Sequence, residues 1–255
     1  MTIRRLFSKD PNDEEENVTQ NIYVFRFILF CIIVYSFEML LNSVDIFIVD
    51  KTIFTRGYVT GCLFAAVYVL ILLHLGLEHP LTKYVSITAV SLIIMAASVS
   101  LTYHMIIIIM MPIIIAGMYT SKQLSIYTFV LTVLSIIIST YAGYYYYGVC
   151  DANMVLLTTT SMNHLVENGI FLLNQVNENP GVTLALYYVL PRCLMAMSFV
   201  YVSNIVNQVI RKSLKNAMKM EEKAATDEMT GLYNKNKLLA TIEKRTYDYQ
   251  QVAIV

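Results

Sequence analysis

YVSITAVSLIIMAASVSLTYHMIIIIMMPIIIAGMY, residues 84–119, sets how many times this chain can cross a bilayer. From Tyr84 to Tyr119 its apolar character is nearly unbroken. As one helix it would run about 54 Å at a rise of about 1.5 Å per residue. A hydrocarbon core is roughly 30 Å thick, so a single straight crossing leaves far too much length over. A tight hairpin near Thr102-Tyr103-His104 removes the excess and predicts two crossings, Tyr84–Tyr103 and Met105–Tyr119. The second of these is short and carries Pro112.

Outward from that stretch, apolar runs of about 20 residues, the length a spanning helix needs, fall at Ile22–Leu41, Gly57–Leu77, Leu124–Tyr145 and Val182–Asn207. The expectation is an all-α polytopic membrane protein with about six transmembrane helices. Composition agrees: 57% of residues are hydrophobic and 14% charged, against about 25% charged in a soluble domain. Mean hydropathy is +0.59. The formal net charge is zero and by itself says nothing about nucleic acid; with this composition the expected partner is the lipid bilayer, with no nucleic acid. Cys31, Cys62, Cys150 and Cys193 show no C-x-x-C spacing and no histidine at ligand distance, so no metal site is expected. Three of them lie in apolar runs, where cysteine behaves as a small hydrophobe.

Lysine and arginine placement orients the spans. Arg4, Arg5 and Lys9 precede the first span, and Lys83 and Lys122 sit in the second and fourth connections. Arg211, Lys212, Lys215, Lys219 and Lys223 follow the last span, whereas the connection 146–181 contains no Lys or Arg. Both termini are therefore expected to be cytoplasmic. Residues 1–21 form a polar tail with no apolar core near the start, so the first span is expected to be a retained anchor. Residues 22–207 make the transmembrane region. Tyr141 and Tyr144 to Tyr147 read as an aromatic interfacial belt. The outer loop, 146–181, shows apolar residues partly at helical spacing and predicts a packed or interfacial helix ended by Asn179-Pro180-Gly181.

Two charges lie inside spans, where ionisable groups are costly and face a partner or cavity. Arg192 falls ten residues into the last span, about 15 Å deep. Glu38, on the first span, sits nearer the outer face. They form a candidate sensing pair, read equally well as a lock between the first and last helices. Arg26 lies near the cytoplasmic end of its span and can snorkel.

Beyond the last span, residues 208–226 continue without Gly or Pro as a cytoplasmic signalling helix. Val206, Ile210, Ser213, Ala217, Met220 and Ala224 alternate at spacings of four and three, the seam of a weak two-stranded coiled coil. A homodimer through this helix is expected. Resting of its basic residues on anionic lipid is compatible with that.

The helix leads into Ala224-Ala225-Thr226-Asp227-Glu228-Met229-Thr230-Gly231-Leu232-Tyr233-Asn234-Lys235. This resembles the opening of the diguanylate cyclase (GGDEF) domain, D-x-L-T-G-L-x-N-R-R. Asp227, Thr230, Gly231, Leu232 and Asn234 match, and Met229 stands in for the first leucine. Lys235 and Asn236 replace the paired arginines, weakening any ion pair with the aspartate. The resemblance covers about the last thirty residues and makes 227–255 the first elements of an α/β GGDEF domain, with Gln251 to Val255 starting a strand. It implies a bacterial inner-membrane receptor that makes cyclic di-GMP from two GTP, with Mg or Mn bound by the complete domain. It also implies that Asn234 contacts the guanine base, while Asp227, Thr230, Gly231 and Leu232 shape the turn. The family's metal-binding aspartate and signature lie further on, and no Gly-Gly pair occurs in these 255 residues. No catalytic residue, metal or cofactor is therefore expected in this chain, which should be inactive alone. The sensed small molecule or membrane signal is not named by the sequence. The alternative is a non-enzymatic membrane binding protein or transporter carrying a remnant motif. A sensor histidine kinase would need a histidine after the last span, and none follows His164.

Overall fold

The computed structural model describes residues 6–7, 16–46, 50–101, 105–147, 166–167, 170–171 and 179–225. Helix α1 spans Glu16–Ser43, α2 Lys51–Leu75 and α3 Thr82–Leu101. A 3₁₀ turn at Ile108–Met110 leads into α4, Met111–Met118, and α5 follows at Lys122–Tyr147. Strands β1, Val166–Glu167, and β2, Ile170–Phe171, pair antiparallel. A short α6, Pro180–Leu184, runs through a π-helical turn, Ala185–Val189, into α7, Leu190–Ala225. The chain divides into two compact units, Met1–Asn204 and Ile205–Val255. Of the second, the described part is the end of α7.

Among the described residues, five helices are long and apolar enough to cross a membrane: Asn17–Ser43, Lys51–Leu75, Thr82–Leu101, Lys122–Tyr146 and Gly181–Met220. The fourth predicted crossing, Met105–Tyr119, has no such helix, and α4 has only eight residues, about 12 Å of rise. Pro112 explains the shortening. It occupies the first turn of α4, where its missing N–H is harmless. Its ring would clash with the carbonyl four residues back in a longer helix. The residues before it take the tighter 3₁₀ turn instead.

Even so, this segment traverses the depth of its unit. At one end the Tyr119 hydroxyl donates to Asn21 Oδ1 (2.8 Å) and Gln20 Nε2 donates to the Met118 carbonyl (2.7 Å). Asn21 Nδ2 donates to the Leu77 carbonyl (2.8 Å). The start of α1, the end of α2 and the end of α4 are thus tied together. At the other end Met105 and Ile108 share a cavity wall with Glu38 and Leu101. Asn21 and Glu38 are about 25 Å apart along α1 by helical rise. The predicted hairpin residues, 102–104, lie outside the described residues.

Helix ends follow local chemistry. The second run begins earlier than its apolar content predicts because Asp50 caps α2, accepting from the Ile53 N–H at 2.9 Å. Gly76 closes α2 with φ +83°, a conformation glycine adopts without Cβ strain. Helix α3 is the inner helix, packed on α2 and α5. Its buried Ser86, Ala89, Ser91, Ala96, Ala97, Ser98 and Ser100 let neighbouring backbones come close. Arg26 donates through Nε to the Leu6 carbonyl (3.1 Å).

The helix expected in the outer loop is corrected where that loop is described. Val166 pairs with Phe171 and Glu167 with Ile170 across a two-residue connection. The sequence there reads Asn168-Gly169, the pair that two-residue hairpins favour. Pro180 also opens a helix rather than closing one, with Asn179 capping it through the Gly181 N–H (2.9 Å).

Candidate functional site

The site begins with a close approach of two helices. A Cβ on Gly57 of α2 would stand 2.6 Å from Ser100 Oγ and 2.9 Å from the Tyr35 hydroxyl. Only glycine leaves room for Tyr35 to lie buried between α2 and α3. Its hydroxyl meets Ser100 Oγ at 3.4 Å, and its ring stands edge-on to Phe54 and Tyr58, each 5.4 Å away between centroids. Ser36 Oγ and the Tyr58 hydroxyl are 2.9 Å apart. Three ring or hydroxyl contacts therefore hold Tyr35, and Ser36 in turn holds Tyr58.

Tyr35 is part of the wall of a cavity of about 190 Å³ between α1, α3 and the segment from Met105 to Met111. Cys31 and Glu38 share the α1 wall, and Ile94, Ala97 and Leu101 form the α3 wall. Glu38 and Tyr35 are the two lining residues with side-chain oxygens in an otherwise apolar wall, and the Tyr35 hydroxyl turns to Ser100. Phe30, Val34 and Ile108, all lining residues, are exposed. The cavity therefore opens sideways, in the direction from which a bilayer would supply apolar molecules.

Arg192 lies elsewhere on the map of helices. It is 7% exposed, and its guanidinium carbon sits 3.6 Å from the centre of the Tyr188 ring while Nη2 donates to the Tyr188 hydroxyl. The π turn just before it follows from Pro191. In a regular α-helix the proline ring would press on the Tyr187 carbonyl. The widened turn relieves this, and the Leu190 N–H reaches back to the Ala185 carbonyl. Such turns inside α-helices are frequent at functional positions. Tyr188 and Leu184 pack with Tyr141 and Tyr144, and the Tyr141 hydroxyl donates to the Gly181 carbonyl (2.8 Å). The predicted aromatic belt thus also ties α5 to the start of the last span. Tyr145 and Tyr146 stay exposed, as a belt requires.

Of the candidate sensing pair, then, Glu38 lies in the cavity wall and Arg192 lies against Tyr188. Neither charge is without a partner. The motif residues Asp227, Thr230, Gly231, Leu232 and Asn234 lie outside the described residues. Sequence reasoning missed the tie of Asn21, Tyr119 and Leu77. The available signal was an amide at the entry to an apolar run, where a buried polar group demands a partner. No protein family, curated protein or solved structure matches this chain.

Proposed function

We propose that the chain is the sensor region of a membrane receptor whose output is cyclic di-GMP synthesis by a GGDEF domain. The observation that carries this reading is α7. It runs unbroken from the apolar region to Ala225, two residues before Asp227, where the resemblance to the cyclase domain begins. At 36 residues it is about 54 Å long, enough to leave a bilayer and still hold a cytoplasmic stem. Val206, Ile210 and Met220 of the proposed seam are exposed in the single chain, ready for the same face of a second copy. In the family each of two domains brings one GTP, with the metal ions supplied to the complete domain. The geometry of the dimer therefore governs rate through proximity. Asn234 is the guanine contact in this reading. Glu38 and Arg192 are the charges through which the membrane region biases the stem.

Six crossings with a short fourth one place both termini in the cytoplasm of a bacterial inner membrane. Tyr119 returning to Asn21 supports that path. A reporter active only outside the membrane is expected to work when fused within 151–179 and to stay silent after Lys223. The reverse pattern would refute the orientation.

The function itself is tested by joining residues 1–226 to the catalytic domain of an active cyclase. Membranes carrying the fusion are expected to make cyclic di-GMP. Cysteines at Ser213 should crosslink between copies more readily than cysteines at Lys215. A fusion that is inert although the same catalytic domain works on another dimeric stem would overturn the receptor reading. Preferential crosslinking at Lys215 would displace the seam.

A further inference from the structure

We infer that the cavity between α1, α3 and the Met105–Met111 segment is a ligand site for a small aromatic molecule carrying one N–H donor, admitted sideways from the membrane. As a sensing step this rests on the receptor reading above; as a binding site it does not. Three observations carry it.

The first is size. The cavity measures about 190 Å³, and an apolar protein cavity of about 150 Å³ stays dry and takes up benzene. A one- or two-ring molecule fits in that volume. The second is chemistry. Most of the wall is hydrocarbon, which suits a ring. Glu38 is acceptor-only when ionised, with roughly four lone-pair sites, so it can take a ligand donor in addition to the interactions it already makes. Tyr35 cannot swing away to avoid the ligand, because Ser100, Phe54 and Tyr58 hold it. A pre-formed wall loses little freedom on binding. The third is access. Phe30, Val34 and Ile108 at the mouth are exposed, so the route runs through the side that faces lipid.

The chain contains no tryptophan, so excitation beyond the tyrosine band sees only an added indole once the constant emission of the nanodisc scaffold is subtracted. Indole fluorescence is followed with the purified chain in nanodiscs, against nanodiscs without protein. Saturable, blue-shifted emission is expected. Benzofuran, of the same shape but lacking the N–H, should compete about tenfold less well or worse, the loss of one hydrogen bond to a charged group. Glu38→Gln should weaken indole binding by about tenfold, and Ala97→Phe, which fills the cavity, should abolish saturation. Labelling of Cys31, the native thiol in the wall, gives a second reading in the unaltered fold. With Cys62, Cys150 and Cys193 changed to serine, indole should protect Cys31 from a maleimide. Emission that rises linearly as in empty nanodiscs, or no protection of Cys31, would overturn the site. Equal competition by benzofuran, or unchanged affinity in Glu38→Gln, would overturn the donor contact that defines the ligand. None of these readouts involves cyclic di-GMP, so they succeed or fail apart from the receptor reading.

Discussion

Replacing Asn21 by leucine is expected to lower the free energy of unfolding by about 2–4 kcal/mol, although the substitution makes the chain more apolar. Asn21 is 1% exposed and uses both ends of its amide. Nδ2 donates to the Leu77 carbonyl and Oδ1 accepts from the Tyr119 hydroxyl. Leucine would leave the Leu77 carbonyl buried without its donor and take from the Tyr119 hydroxyl its acceptor, with Ser86 still facing that hydroxyl, each loss costing about 1–3 kcal/mol. Tyr119→Phe removes only one of the two bonds to Asn21 and should cost about half as much. Adding Tyr119→Phe to Asn21→Leu should cost less than the sum, because the hydroxyl that loses its acceptor to leucine is then gone. Thermal unfolding in nanodiscs, following the helical signal, measures all three. If Asn21→Leu is within about 0.5 kcal/mol of the parent, the tie between α1, α2 and α4 holds nothing.

The second large effect concerns the membrane charges. Arg192→Met is expected to cost about 3–5 kcal/mol if the guanidinium also serves Glu38, because one partner of a buried ion pair is left uncompensated. Glu38→Met should cost a similar amount. Making both changes together should restore most of the loss, since a well-packed apolar pair replaces the ionic one. The rival outcome is specific. If Tyr188 is the partner that matters, Arg192→Met removes a cation–π contact of about 2 kcal/mol. The two substitutions would then act additively. Additivity would end the proposal that these charges form a pair and would leave Glu38 as a feature of the cavity alone.

Much of the fold is legible in the sequence because membrane helices are set by one-dimensional quantities. Apolar run length found five long helices, placing α3 and α5 to within two residues at each end and missing the starts of α1 and α2 by six. The helix ends depend on polar capping residues, which apolar run length does not register. Asp50 is one, capping α2 well ahead of the apolar run, and Asn179 is another, turning Pro180 from an expected stop into a start. Pro112 is visible in the sequence, but its effect depends on where in a helix it falls: in the first turn it confines α4 to eight residues and leaves a 3₁₀ turn in front. In the outer loop the strand pair at Val166–Glu167 and Ile170–Phe171 displaces the helical spacing there, in keeping with the Asn168-Gly169 pair between them, and the rest of the expected helix lies outside the described residues.

The site was less legible. Glu38 and Arg192 stand out in any sequence as charges among apolar residues, but a cavity is what side chains from distant positions fail to fill. Gly57 had no visible reason to be glycine until Tyr35 and Ser100 were seen meeting over it.

The π turn at Ala185–Val189 has a consequence for how the chain tolerates length change. A widened turn of this kind holds one residue more than the α-helix it interrupts. Deleting a residue there can convert it to α-helix and leave the phase of everything beyond it as it was. Anywhere from Leu190 to Ala225 the same deletion turns the following residues by about 100° and draws them back by about 1.5 Å. The stem beyond the membrane run therefore has a fixed reading frame in space, and the five residues ahead of Leu190 are the place where a single codon can be lost without shifting it.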